Sequence, residues 1–176
     1  MIDLLDAAAG RDFRIPGANL PVRLSPLTRS SRLVRFPPGW ARPEVGHYLA
    51  GEEFVVLEGE LLVSGVTYRA GHHAWLPAGT MRHDSRAPRG ALALACFDAE
   101  PTWVPSELDE PDGPSLRTPL AGVVIPEGGL RLTPHSLLFD RPAPLDRPAE
   151  LVTVGTWTWQ RADLMPLGRV LARFGD

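Results

Sequence analysis

The sequence predicts one all-β domain, a small β-barrel or two-layer sandwich, followed by a short C-terminal helix. Two strand-like runs in the first half, Glu52 to Gly59 and Gly71 to Gly79, are each bounded by glycine corners. Such runs are typical of antiparallel strands that fold back on one another. The chain has 176 residues, 44% of them hydrophobic, which is enough to bury one core.

The predicted core covers about residues 20–98, after an N-terminal arm over residues 1–19. Residues 31–36 alternate in polarity as a half-buried strand does. The Pro37-Pro38-Gly39 segment that follows must turn, because proline cannot donate a hydrogen bond to a central strand ladder. Residues 91–97 are continuously apolar, which is typical of a strand buried on both faces.

The second half of the chain predicts a linker and further elements. Five prolines interspersed with acidic residues predict a surface linker over residues 99–119. Additional strands are expected over residues 120–176, the clearest of them at 150–160, where threonine alternates with apolar residues. Asp163 is a candidate helix N-cap. The residues at helical spacing after it are Leu164, Leu167, Val170, Leu171 and Phe174.

Composition excludes several classes of function. A net charge of -3 gives no general attraction to nucleic acid or to an anionic membrane, and we expect neither as a partner. All 18 basic residues are arginine, so chemistry through a lysine Schiff base is excluded. A single cysteine excludes an internal disulfide and a cysteine-based zinc cluster. The first residues do not have the pattern of a signal peptide, so we expect a cytoplasmic protein.

Two spaced motifs lie in the central stretch. The first is Gly39, five residues, Val45-Gly46-His47, four residues, Glu52, six residues and Gly59. The second is Gly71, five residues, Pro77-Ala78-Gly79, two residues and Arg82. This arrangement resembles the two motifs of the cupin superfamily, in which a His-x-His pair, a glutamate and a later histidine hold a metal ion. The resemblance implies a cupin jelly roll over about half of the chain.

The resemblance also implies one divalent transition metal, iron, manganese, zinc or nickel, or else no cofactor. Val45 replaces the first histidine of the motif and Arg82 replaces the last. His47 and Glu52 keep their positions, and His83 is the candidate third ligand. His83 lies one residue late, so it faces the same side only if a bulge follows Gly79.

The alternative is a site without metal. A buried Arg82 within reach of Glu52 would form an ion pair, or would bind a carboxylate or phosphate of a ligand. His47 would then act as a general acid or base, which makes His47, Glu52 and Arg82 the candidate catalytic residues. The candidate substrate-binding residues are Arg82, Phe54, Trp75 and Tyr68.

Three further residues receive an ordinary structural interpretation. His72 and His73 follow Gly71 at a predicted corner, and we expect them to be solvated turn residues. Glu53 flanks a strand and needs no function. None of the three enters the predicted site.

Two functional classes follow from the predicted site. The first is a small-molecule enzyme with its pocket inside the barrel, an oxygenase if metal is bound or an isomerase. The second is a non-catalytic, ligand-binding or sensory cupin without metal, built on an Arg82–Glu52 pair. The motif strings are most similar to the cupin domain of ChrR-type anti-sigma factors and their stand-alone bacterial relatives. We expect a homodimer, because jelly rolls commonly pair through an outer sheet.

Overall fold

The computed structural model describes residues 1–7, 10–107 and 110–175. Within these ranges the regular structure consists of β-strands and contains no helix, so the predicted all-β class is confirmed. No described segment forms a helix that is long and apolar enough to cross a membrane. The chain divides into two compact units, residues 8–117 and residues 1–7 with 118–176, which are described separately below.

The larger unit is a jelly roll built around one extended sheet. The strands of its sheets are β2 (Arg11–Phe13), β3 (Val22–Pro26), β4 (Ser31–Phe36), β5 (Trp40–Arg42), β6 (Gly46–Tyr48), β7 (Glu52–Val63), β8 (Val66–Arg69), β9 (His72–Leu76), β10 (Ser85–Ala87), β11 (Ala91–Phe97), β12 (Trp103–Pro105) and β13 (Leu116–Pro119), whose last two residues are counted with the smaller unit. The main path of the extended sheet has the order β13-β9-β7-β11-β4-β3-β2, with β8 and β10 on β7 and β5 on β10. The remaining strands, β6 and β12, pair with each other.

The long strand β7 joins two parts of this unit. Its first half pairs with β9 and β11, and its second half pairs with β8 and β10. Gly59 lies at the transition, with φ of 72°, a conformation that residues with a side chain rarely adopt. A Cβ atom there would also approach the carbonyl oxygen of Gly90 to 2.3 Å. The glycine therefore allows one strand to serve both parts of the jelly roll.

The interior of the larger unit is lined by alternate residues of its strands. On β7, Phe54 and Val56 belong to the interior cluster, whereas Glu53 and Val55 face the opposite side of the sheet. The interior cluster consists of Ala18, Val22, Val34, Trp40, Phe54, Val56, Leu61, Tyr68, Ala74, Leu76, Ala87, Ala91, Ala93 and Ala95.

The smaller unit is an antiparallel sheet. Its strands are β1 (Ile2–Asp3), β14 (Leu130–Arg131), β15 (Ser136–Phe139), β16 (Pro144–Thr153), β17 (Thr158–Leu164) and β18 (Val170–Arg173). Their order is β1-β17-β16-β18-β15-β14, so the first and last described strands belong to the same sheet. The buried cluster of this unit includes Phe139, Leu151, Met165 and Val170.

The prediction of a C-terminal helix is wrong. Asp163 lies inside β17, and Val170–Arg173 forms β18, which pairs on one side with β16 and on the other with β15. Leu164 and Leu167, two members of the predicted apolar helix face, are 76% and 83% exposed. Burial of β18 between two strands outweighs the local helical spacing, since tertiary context overrides a weak propensity.

Two other stretches differ in detail from the sequence predictions. The strand predicted at residues 150–160 is a hairpin, because the turn between β16 and β17 contains Gly155 with φ of 97°. The Pro-rich stretch over residues 99–119 contains two short strands, β12 and β13. β12 pairs with β6, which brings Trp103 opposite Tyr48.

Candidate functional site

A cavity of about 170 Å³ lies within the larger unit. Most of its wall is apolar and aromatic, contributed by β3, β4, β7 and β11. Its polar residues include Arg42, Glu52, Arg82 and Ser85, and a concave apolar site with a few grouped polar residues is the usual form of a small-molecule site. Its aromatic lining residues are Phe13, Phe36, Trp40, Tyr48, Phe54 and Phe97.

Strand β5 supplies Arg42 to this cavity. Trp40 and Arg42 are both buried and have the same parity on β5, with Ala41 between them on the other face. The guanidinium of Arg42 lies over the Trp103 ring, 3.8 Å from its centroid. Its Nη1 donates a hydrogen bond of 3.1 Å to the Tyr48 hydroxyl. Stacking and this hydrogen bond hold the guanidinium in place.

Arg42 is nevertheless a buried cation without a carboxylate partner. It is 4% exposed, and within the described ranges it makes no ion pair with an acidic side chain. Burial lowers the pKa of Arg42, and the neighbouring charge of Arg82 lowers it as well. The charge of Glu52 and the contact with Tyr48 act in the opposite direction. Buried charges are usually paired, so this position departs from ordinary protein interiors.

Arg82 is the second buried cation. It is 3% exposed, and its Nη1 donates a short hydrogen bond to Oε2 of Glu52. Its guanidinium also lies over the Tyr48 ring, 4.7 Å from the centroid. The other two nitrogens, Nε and Nη2, are buried and have no hydrogen-bond partner in the protein. These two atoms form the other edge of the guanidinium, the kind of edge that binds a carboxylate in a bidentate manner.

Three other buried polar atoms in the cavity lining have no hydrogen-bond partner. They are Nε of Arg42, Nε1 of Trp40 and the hydroxyl of Ser85. The arginine and tryptophan nitrogens can only donate a hydrogen bond, whereas the serine hydroxyl can donate or accept one. Buried donors require acceptors, and among the described residues the protein supplies none to these atoms. The arrangement therefore suits a ligand rich in acceptor oxygens.

The structure brings three of the sequence-predicted residues together, Glu52, Phe54 and Arg82. His47 does not join them. Tyr48 lines the cavity, so its neighbour His47 on β6 faces the other side of the strand. Val45 and Leu49, which share the face of His47, are 37% and 57% exposed.

Gly46 helps to fix this orientation of β6. It is buried, and a Cβ atom at this position would lie 2.6 Å from the Trp103 ring. On β6, Gly46 therefore lies against Trp103, where there is no room for a side chain, and Tyr48 faces the cavity.

The other predicted residues lie outside the cavity lining. His83 is exposed, and its backbone NH donates to the Ser64 hydroxyl. Trp75 faces the opposite side of β9 from Ala74 and Leu76, which belong to the interior cluster. Tyr68 is buried behind the cavity wall, where its ring packs edge-on against Phe54 with centroids 5.0 Å apart. Burial raises the pKa of Tyr68.

The opposite face of β7 and β9 carries a second polar pair. Nε2 of His73 lies 2.8 Å from Oε1 of Glu53, with side-chain exposures of 0% and 4%. The prediction that His72 and His73 are solvated turn residues is therefore wrong, because β9 begins directly after Gly71 and includes both histidines. The neighbouring His72 is only partly buried, and burial lowers its pKa, as do Arg117 and Arg69.

The donor set does not fit the metal ion that the sequence motif implies. Across the part of the chain that the structure describes, no three His, Cys, Asp or Glu side chains are grouped so that they could hold one ion. Protein sites for transition metals generally need about three such ligands. His47 and His83 do not join Glu52 in the cavity lining, and Glu52 is engaged by Arg82.

Sequence reasoning missed Arg42, Tyr48 and Trp103. The signal for Arg42 was present, since it follows Trp40 at the spacing of a strand face and precedes Pro43. Tyr48 follows His47 directly on β6, so its side chain faces the opposite side of the strand. If that side is the buried one, Tyr48 is the residue that lines the cavity. Trp103 gives no local signal, because it reaches the site through the pairing of β12 with β6.

Comparison with known proteins finds related folds. No family model matches the chain, and no curated protein matches it. A solved structure of a candidate dioxygenase from Nostoc punctiforme PCC 73102 has a TM-score of 0.66 and 16% identity, over 99% of this chain and 78% of that chain. The structural neighbours are cupin-family proteins.

Two further neighbours are more distant. The bacterial pirin YhhW of Escherichia coli, solved with nickel(II), has a TM-score of 0.47 and 14% identity over 95% of this chain and 87% of that chain. A cupin 2 conserved barrel domain protein from Leptotrichia buccalis has a TM-score of 0.40 and 11% identity over 99% and 89%. At such identities the likeness concerns the fold and transfers no activity.

Proposed function

We propose that the cavity of the larger unit binds a small organic anion without a metal ion. The observation that carries this proposal is the buried, uncompensated guanidinium of Arg42 beside Arg82, whose Nε and Nη2 also have no partner. A ligand carboxylate would supply the missing charge and the missing acceptors together. This corresponds to the ligand-binding alternative of the sequence analysis, with Arg82 and Glu52 paired.

Glu52 has a positioning role in this proposal. By accepting from Nη1 of Arg82, it fixes the plane of the guanidinium and leaves the Nε and Nη2 edge for the ligand. Tyr48 and Trp103 hold Arg42 in the same way. A site held by such contacts before the ligand arrives loses less conformational freedom on binding.

A metal-free anion site is a different function from the metal-dependent oxygenase or isomerase that the sequence predicts first. No grouped ligand set supports that class among the described side chains. His47, the predicted acid or base, lies on the other face of β6 from the cavity residue Tyr48. The geometry therefore supports recognition of an anion and does not by itself assign a reaction.

The test is calorimetric titration with small carboxylates and with their neutral amides, before and after dialysis against EDTA. We expect carboxylates to bind and amides not to bind, with the same affinity in both preparations. The metal content of each preparation is measured by elemental analysis. Binding that disappears on chelation and returns with iron, manganese, zinc or nickel would overturn the proposal.

A further inference from the structure

The size of the cavity limits the ligand body. An apolar cavity of about 150 Å³ holds one benzene molecule. The cavity of the larger unit, at about 170 Å³, is only slightly larger. It therefore accommodates one six-membered ring with a small polar group, and part of a fused two-ring body would have to lie outside it.

Strands β3, β4, β7 and β11 each contribute apolar side chains to the walls of the cavity. Ala93 and Ala95 of β11 face the cavity, and their small side chains leave the space open at the centre of the sheet. Phe36 and Trp40 pack edge-on with centroids 4.7 Å apart and form one side. An aromatic or saturated ring gains from burial against such walls, whereas a second charged group would lose its hydration there.

The charges at the polar end favour a monoanion. Arg42 and Arg82 carry two positive charges and Glu52 one negative charge, which leaves one positive charge uncompensated. Arg32 also lines the cavity, but it is only partly buried and lies over the Phe97 ring, 5.3 Å from its centroid. Its charge therefore remains accessible to water. One ligand charge balances the buried set.

The geometry of the donors favours a carboxylate among monoanions. The Nε and Nη2 edge of Arg82 is planar, and its two N–H groups match the two oxygens of a carboxylate. Nε of Arg42 offers a further donor.

We infer that the ligand is a monocarboxylate whose uncharged apolar body is about the size of one six-membered ring. This inference rests on the proposed anion site and specifies its ligand class. The carboxylate binds to Arg82 and Arg42, and the ring lies against Ala93, Ala95 and the aromatic residues. Arg42 gains in this complex the counter-charge that the protein does not provide.

The experiment is a calorimetric comparison of single compounds. Benzoate and cyclohexanecarboxylate represent the proposed ligand class, and benzamide is the neutral control. Acetate lacks the ring, 2-naphthoate has a second ring, phthalate has a second carboxylate, and phenyl phosphate replaces the carboxylate. We expect both ring monocarboxylates to bind about tenfold or more tighter than acetate, which lacks the buried ring surface. Phthalate, phenyl phosphate and 2-naphthoate should bind more weakly than benzoate.

Variants test the two ends of the site. Arg42→Met should weaken benzoate binding by about tenfold or more, the effect of losing a charged hydrogen bond. Arg23→Met, which removes an exposed arginine outside the cavity, is the matched control and should bind as the unchanged protein does. Ala93→Leu should fill the cavity and reject benzoate, and Ala95→Val is the milder variant if Ala93→Leu does not fold.

The results distinguish failure of the inferred ligand class from failure of the proposed anion site. Preference for phthalate, phenyl phosphate, 2-naphthoate or acetate would overturn the ligand class and leave the anion site standing. Failure of every anion to bind would overturn both. Benzoate binding that Arg42→Met and the alanine variants leave unchanged would overturn the inference, because the ligand would then lie elsewhere.

Discussion

Two neighbouring glutamates of β7 lie on opposite faces of one sheet and have different environments. Glu52 faces the cavity, where its partner is the guanidinium of Arg82, which can only donate hydrogen bonds. Glu53 faces the opposite side, where its partner is the imidazole of His73, which can donate or accept. Strand β9 supplies a similar contrast between His72 and His73. Side chains alternate between the two faces of a strand, so the consecutive residues Glu52 and Glu53 belong to two separate polar pairs.

The difference lies in the balance of polar groups on each face. On the opposite face, one carboxyl, that of Glu53, contacts one imidazole, that of His73. On the cavity face, one carboxylate, that of Glu52, lies among two guanidiniums, those of Arg42 and Arg82, and one negative charge cannot balance two positive charges. An imbalance of this kind in a cavity is typical of a site for a charged ligand.

The largest effect is expected from Arg82→Leu. The substitution leaves the Glu52 carboxylate, 15% exposed, without its cation, and breaking such a pair costs about 3 kcal/mol of unfolding free energy. Urea unfolding measures the change. The double variant Glu52→Leu with Arg82→Leu is the control, and it should recover most of the loss. An unchanged unfolding midpoint in Arg82→Leu would show that the pair contributes nothing.

A smaller loss is expected from His73→Leu on the opposite face. The Glu53 carboxyl loses its hydrogen bond to the imidazole in a buried position, so we expect a cost of about 2 kcal/mol. Glu53→Gln keeps an acceptor for Nε2 of His73 and should cost less. Urea unfolding of both variants and of Arg82→Leu measures the loss of unfolding free energy on each face of the sheet. A larger loss in His73→Leu than in Arg82→Leu would reverse the comparison.

Much of the fold was predictable because its corners are local. Gly71 and Gly79 have positive φ values, and the strand between them, β9, follows from its apolar run. The corner predicted at Gly59 does not end its strand, because β7 continues through this glycine to Val63. The C-terminal helix was not excluded by the sequence, since Val170 and Leu171 fit a helical face as well as a strand. Only the pairing of β18 with β15 and β16 decides between them.

The candidate site was predictable in part. The motif spacing placed Glu52 and Arg82 near one another, and the structure pairs them. The orientation of β6 could not be predicted, because alternation gives two faces and does not say which one is buried. That choice depends on Trp103, which is distant in sequence and packs against Gly46.

Arg42→Met should destabilise the protein least among the buried substitutions. Removing an uncompensated buried charge relieves its desolvation, although the stacking on Trp103 and the hydrogen bond to Tyr48 are lost. We expect the unfolding free energy without ligand to stay within about 1 kcal/mol of the original value or to rise. A loss as large as that of Arg82→Leu would mean that Arg42 is already compensated within the protein.

The smallest effect concerns His72, whose environment differs from that of its neighbour His73. Burial is the first cause that lowers the pKa of His72, and the charge of Arg117 is the second. Arg117→Gln removes a cation that disfavours the imidazolium, so the pKa of His72 should rise, while burial keeps it below its ordinary value. Histidine ring signals followed by NMR against pH measure the shift, with Arg35→Gln as the control. A pKa of His72 that does not rise would contradict the prediction and show that the charge of Arg117 does not lower it.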